Sequence, residues 1–223
     1  PDPSKLTGAR KAPMPEKFFP QLATLVSKPP AGDQWLHEIK YDGYRILCFL
    51  EDGRARLLSR QGKNWTEKFK DIARATQNLA LQSTILDGEI VVLNRDGTTD
   101  FQALQNVLKG VQRGALVYYI FDIPYSQGYD LREAPLIERK HYLHDVFEAA
   151  QPGPSLRYGD YIKGSGSSVF ELACRHAAEG LVCKRADGRY IQRRTRDWVK
   201  IKCLKRQEFV VGGYTEPSGS RKG

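Results

Sequence analysis

No run of about 18 apolar residues occurs in the 223-residue chain, so a membrane-spanning helix is excluded. The first thirty residues hold no apolar segment of signal-peptide length, and no secretory leader is expected. Neither G-x-G-x-x-G nor G-x-x-x-x-G-K-[ST] occurs, so the familiar phosphate-binding loops are missing. Cysteine is scarce: Cys48, Cys174, Cys183 and Cys203 lie far apart with no C-x-x-C, which argues against a zinc–thiolate site. Three of the four fall in apolar stretches that read as strands, so buried free thiols and a reducing, cytoplasmic setting are expected. The chain starts at Pro1 without a methionine, and a fragment of a longer polypeptide is expected. What is present, 40% hydrophobic and 27% charged residues, describes a globular protein long enough to bury a core without disulfide staples.

The net charge is +9, and its placement is uneven. Residues 1–179 carry 23 basic and 22 acidic side chains, residues 180–206 carry 10 and 2, and residues 207–223 carry 2 of each. Nearly the whole imbalance therefore falls in one short block. A solvated basic face and a site for phosphates or nucleic acid both fit such a block.

Residues 1–34 are proline-rich and read as an arm packed on the domain, with one short helical turn near 21–27. Strands are expected over 35–40, 44–51 and 54–59, the last two joined at Glu51-Asp52-Gly53-Arg54. A helix over 67–80 has Thr66 as its candidate cap, and Asp100 is placed to cap a helix over 101–108. Further strands are expected at 85–93, at 117–123 (stopping at Pro124), and at 156–162, 181–184 and 198–204; helices are expected at 136–150 and 167–178. Hairpins are frequent and regular β-α-β alternation is absent. This predicts an α+β protein with mainly antiparallel sheets flanked by helices. The expected division is an arm over 1–34, a main domain over 35–206, and a segment over 207–223 that begins with a strand at 208–214.

The sharpest local feature is Lys40-Tyr41-Asp42-Gly43-Tyr44-Arg45. A lysine at a strand end beside a glycine turn projects into a cleft and serves as a nucleophile when its amine is neutral. A plain hairpin with an exposed lysine is the simpler alternative. Arg45 has the fork for a bidentate contact to phosphate or ribose. Lys200 and Lys202 alternate in a strand, so both point to one face, where two cations neutralise a polyphosphate and lower the pKa of a nearby lysine; a solvated strand edge is the alternative. His141 and His144 share a helix face without a third ligand, so a packing or surface role is expected.

From Lys40 onward the sequence resembles the covalent nucleotidyltransferases, the family of DNA ligases, RNA ligases and mRNA-capping enzymes. Six segments match its motifs in order: Lys40–Arg45, Ser59-Arg60-Gln61-Gly62, Leu86–Val91 with Asp87-Gly88-Glu89, Tyr119–Ile123, Glu179-Gly180-Leu181-Val182-Cys183-Lys184, and Trp198–Lys202. The resemblance covers residues 35 to 204 and implies an ATP-grasp-like domain with the nucleotide in a cleft between sheets. It implies that Lys40 becomes a lysine-N-AMP adduct with ATP. It also implies that Glu89 and Arg60 hold the ribose and that Phe121 and Val182 sandwich the adenine. Lys184, Lys200 and Lys202 would meet phosphates, and Glu179, with Asp42 as a second candidate, would hold Mg²⁺ or Mn²⁺. Taken alone, Phe121 reads as a core residue and Glu89 and Glu179 as exposed carboxylates. Arg45 favours ATP over NAD, because NAD-dependent ligases carry Ala there, and Glu38 with Ile39 matches the position near the adenine edge.

The segments Pro20–Leu25, Trp35–Arg45 and Asp197–Cys203 are especially similar to the ligase domain of bacterial multifunctional end-joining ligases, the ligase D type. That similarity implies a bacterial enzyme of the nucleoid, a monomer acting on nicked or broken double-stranded DNA. It further implies a Ku-type end-binding partner and polymerase or end-processing domains in the same polypeptide. Residues 207–223 would begin a truncated OB-type domain, and poor reaction with ATP and weak sealing are expected without the rest of it. Arg185, Arg189, Arg193, Arg194 and Arg196, expected in a loop between the last two motifs, are the candidates for DNA backbone contacts, with Arg60. An RNA ligase, a GTP-dependent capping guanylyltransferase and a non-catalytic DNA-binding module remain the alternatives.

Overall fold

The structure, a computed structural model, describes residues 1–94 and 96–203. The expected segment over 207–223 and its strand therefore lie outside the described residues. From the N-terminus the elements are β1 (Arg10–Lys11), β2 (Leu22–Leu25), β3 (Trp35–Ile39), β4 (Tyr44–Glu51), β5 (Arg54–Ser59), α1 (Lys70–Gln77), β6 (Thr84–Val92) and α2 (Phe101–Leu108). They continue with β7 (Leu116–Ser126), β8 (Tyr129–Asp130), α3 (Leu136–Ala150), β9 (Leu156–Tyr158), α4 (Gly166–Arg175), β10 (Gly180–Arg185) and β11 (Arg194–Lys202).

The described strands form two sheets. A seven-stranded sheet runs β1-β8-β7-β6-β4-β5, with β9 also pairing β7; a four-stranded sheet runs β2-β11-β10-β3. All pairings are antiparallel except β7 with β9 and β11 with β2. The β4–β5 hairpin turns on Asp52 (φ 49°) and Gly53 (φ 71°), the pair of left-handed residues that a two-residue turn needs to match strand twist.

Three apolar clusters hold the layers together. The largest packs the outer face of the big sheet (Ile46, Leu86, Ile120) under α1 (Ile72) and α3 (Leu143). A second joins Val169 and Ala173 of α4 to Leu181 and Ile201 of the small sheet. The third lies between the sheets: Phe121 of β7 meets Trp198 of β11 edge-on at 6.2 Å, and Tyr190 meets the same indole at 6.0 Å. This aromatic cluster joins the two sheets, and Phe121 and Trp198 also form part of the wall of a cavity between them.

Several expectations are corrected. The arm residues expected as a helical turn form β2, because Leu22 to Leu25 find an unpaired edge in β11. β7 runs through Pro124 to Ser126; the ladder to β6 is irregular between its pairs Ile85–Tyr125 and Asp87–Asp122, so the missing N–H of Pro124 falls where a partner is not required. Thr66 makes no capping bond; its Oγ1 accepts from Leu57 N–H (3.0 Å) and donates to Asn64 Oδ1 (2.6 Å). Asp100 does cap α2, accepting from Ala103 N–H at 2.9 Å. β9 ends at Tyr158 rather than 162, α4 spans Gly166–Arg175 rather than 167–178, and β11 starts four residues early, at Arg194. Cys48 and Cys183 are buried free thiols, but Cys174 and Cys203 are joined by a disulfide, which chain spacing could not reveal.

Candidate active site

The cavity between the sheets has a volume of about 210 Å³. Its walls follow from strand register. Across the small sheet Glu38 (β3), Val182 (β10) and Lys200 (β11) form one transverse row, so all three side chains leave the sheet on one face. Across the large sheet Arg45 (β4), Glu89 (β6) and Tyr119 (β7) form another. Glu38, Ile39, Lys40, Arg45, Arg60, Glu89, Phe121, Val182, Lys184, Arg194 and Lys200 all line the cavity, joined by Leu22, Ala23, Tyr41 and Trp198. Gly88 permits the close approach of β6 to β7: a Cβ there would fall 2.3 Å from the Tyr119 carbonyl oxygen.

Lys40 follows the end of β3, and its N–H is fixed by the Gly180 carbonyl (3.0 Å). Its ammonium contacts Glu179 Oε2, while Lys202 Nζ lies 3.3 Å from Glu179 Oε1. Burial lowers the pKa of Lys200, and the charges of Lys40, Arg194, Lys202 and Arg60 lower it further. Five cations thus surround one mouth of the cavity, a setting for a polyphosphate. Desolvation raises the Glu89 carboxyl to about 7, against the opposing pull of Arg45 and Lys40.

Some candidates are engaged otherwise than expected. The Arg45 fork is closed on Asp87, with Nε–Oδ1 2.5 Å and Nη2–Oδ2 2.6 Å, and its Cζ lies 4.5 Å from the Phe121 ring centroid. Lys184 is not turned to phosphate: its ammonium is buried 2.6 Å from Glu38 Oε2 and about 4 Å from both the Phe121 and Trp198 ring centroids (4.0 and 4.1 Å). Burial brings its pKa down to about 8, partly offset by Glu38. Asp42 lies off the cavity lining, with its N–H donated to Thr99 Oγ1 at 3.1 Å.

The five arginines do not share a loop. Arg185 ends β10 and pairs with Asp187 (2.7 Å), and Arg194 and Arg196 belong to β11, Arg194 in the cavity wall. Only Arg189, paired with Glu133 (3.0 Å), and Arg193 lie between the strands.

Among the described residues no group of three His, Cys, Asp or Glu side chains is arranged to hold a metal. Among the described residues Glu179 is the carboxylate in contact with Lys40's ammonium, a donor set suited to a cation held chiefly by substrate phosphates. Sequence reasoning missed Asp87, Tyr190, Trp198 and Lys140. Trp198 sat inside a quoted motif, and Lys140 sits on the apolar stripe of α3 with Leu136 and Leu143.

The ATP-dependent DNA ligase domain model matches residues 13–202, nearly all of the described chain. The chain belongs to this family. The ligase domain is 44% identical over 212 residues to the multifunctional non-homologous end joining protein LigD of Pseudomonas aeruginosa, covering 95% of this chain and 25% of that protein. It is 33% identical over 191 residues to the corresponding Mycobacterium tuberculosis DNA repair protein, covering 85% and 24%. The chain thus spans about a quarter of the length of these curated relatives. In three dimensions the ligase domain superposes on mycobacterial DNA ligase D complexed with ATP and MES with a TM-score of 0.75 at 32% identity, covering 83% of this chain and 60% of that one. The Chlorella virus DNA ligase-adenylate, at 15% identity with a TM-score of 0.60, covering 83% and 68%, shares the fold. The expected antiparallel α+β nucleotidyltransferase architecture is therefore present.

Proposed function

We propose that the chain carries out the adenylation chemistry of DNA strand sealing, with Lys40 as the nucleophile. The observation that carries this reading is the position of Lys40, between a slot lined by Glu38, Phe121 and Val182 and the cluster of Lys200, Lys202, Arg60 and Arg194. A purine fits the first and a triphosphate the second.

Lys40 Nζ attacks the α-phosphorus of ATP. The N–P bond forms, the P–O bond to the β-phosphate breaks, and pyrophosphate departs in line. The attacking amine loses a proton, and Glu179 Oε2 is the acceptor in contact with it. A DNA 5′-phosphate oxygen then displaces Lys40 and takes the AMP, and a 3′-hydroxyl displaces AMP to close the strand. Glu89 and Arg60 orient the sugar, and Arg45 with Asp87 braces Phe121 beneath the base. Mg²⁺ or Mn²⁺, when bound, would supply further charge neutralisation on the phosphates, with Glu179 as its protein ligand.

The names of the relatives support nicked or broken double-stranded DNA as the substrate and end joining as the setting. A Ku-type partner, adjoining polymerase or end-processing domains and a monomeric state complete the proposal. No helix among the described residues is long and apolar enough to cross a membrane. Incubation with ATP or GTP, followed by intact mass measurement, tests the reading: an AMP adduct should form much faster than a GMP adduct. Nicked DNA should then discharge the adduct, and discharge only by nicked RNA would overturn the DNA assignment.

A further inference from the structure

Lys140 belongs to none of the motifs, yet its ammonium is fully buried at the back of the base slot. It lies 2.7 Å from Glu38 Oε1, 2.6 Å from the Gly159 carbonyl and 3.2 Å from the Phe121 carbonyl. One side chain of α3 therefore touches the carboxylate at the base edge and the backbone of the aromatic residue under the base. Glu38 Oε2 is bound by Lys184. Glu38 thus sits between two ammonium groups, an environment that matches a carboxylate, which only accepts hydrogen bonds. Glu38 Oε1 is buried, and beside its ion pair with Lys140 it has acceptor capacity left for one further donor.

A purine with a 6-amino group supplies such a further donor. A 6-oxo purine presents an acceptor instead and leaves two oxygens facing each other, the kind of mismatch that buried polar sites reject most strongly. Were Glu38 turned out of the slot, no acceptor would face the 6-position and the preference would fade.

We propose that Lys140 is a positioning residue that fixes Glu38 as an acceptor in the slot and so sets selectivity for 6-aminopurine over 6-oxopurine nucleotides. The proposal rests on the adenylation reading above. Removal of the ammonium in Lys140→Met releases Glu38 Oε1 and the Phe121 carbonyl together while Lys184 keeps Oε2, whereas a purely structural role would change stability without changing base choice.

The test measures adduct formation by intact mass with ATP and with GTP, for the wild-type chain, Lys140→Met, Glu38→Gln and the double variant. Lys140→Met should raise KM for ATP and lower the ATP-to-GTP preference about tenfold or more. In the Glu38→Gln background the same substitution should change that preference by less than about twofold, because the two residues act as one unit. An unchanged preference in Lys140→Met, or an equal change in both backgrounds, overturns the proposal. If Lys140→Met does not fold, Lys140→Gln decides in its place: it removes the charge beside Glu38 but keeps a donor for the Phe121 or Gly159 carbonyl, so the ATP-to-GTP preference should fall, and an unchanged preference overturns the proposal. A wild-type chain that forms no AMP adduct overturns the adenylation reading instead.

Discussion

Burial moves the Glu89 carboxyl from its ordinary 4.5 to about 7, and this gives the cavity a pH signature. The folded chain keeps the Glu89 proton in a range where the unfolded chain has lost it. The stability that this proton lends is full below about pH 4.5 and declines as pH rises towards 7. Glu89→Gln removes the dependence. Urea midpoints measured across that window should fall in the wild-type chain relative to the variant, and parallel curves would count against a desolvated Glu89 carboxyl. The residues that motifs name were legible because each sits at a fixed offset from a glycine turn or a strand end: Lys40, Glu89, Val182 and Lys200 all reach the cavity. The partners that fix them were not. Asp87 closes the Arg45 fork and Asp122 holds Arg139 through bonds of 2.7 and 2.9 Å, pairs formed between separate elements that no local pattern connects.

At the scale of elements, α2 and β11 show the two limits of sequence reasoning. α2 was legible because its start is chemically local: Asp100 accepts from Ala103 N–H, three residues on. Asp100→Ala should lower the unfolding free energy by about 1 kcal/mol, read from urea unfolding, and no change would show the cap to be unimportant. β11 was read too short because its first residues carry alternating charge, which resembles a loop. They are strand because β2 pairs with them, Arg194 to Leu22 and Thr195 to Ala23, and Gln21 Nε2 donates to Thr195 Oγ1 at 3.0 Å. The N-terminal arm therefore holds the strand that carries Lys200, whose carbonyl accepts from Val26 N–H at 3.0 Å. α3 shows the same lesson in reverse: Arg139 and Lys140 lie on its apolar stripe, a mismatch between pattern and charge that marks buried ion pairs.

At the scale of the whole molecule, the basic block of residues 180–206 divides into distinct duties. Lys184 stays in the core with Glu38, Lys200 and Arg194 line the cavity, and Arg185 and Arg189 are paired with acids. Arg193 and Arg196 are exposed, and among the described residues neither side chain makes an ion pair. Replacing both with alanine should weaken DNA binding and reduce the slope of log affinity against log salt by about one per arginine, while the AMP adduct still forms. Binding with an unchanged slope would remove them from the DNA interface. The Cys174–Cys203 bond closes a loop with a sequence separation of 29 that contains Glu179, Lys184, Lys200 and Lys202. Its reduction should lower the unfolding free energy by about 3 kcal/mol, and identical urea curves with and without reductant would contradict that. The chemistry as a whole rests on Lys40. Intact mass spectrometry of the wild-type chain and Lys40→Ala, each incubated with ATP and Mg²⁺, addresses it most directly. A mass increase of one AMP is expected on the wild-type chain and none on Lys40→Ala; an AMP adduct that persists in Lys40→Ala would place the nucleophile elsewhere.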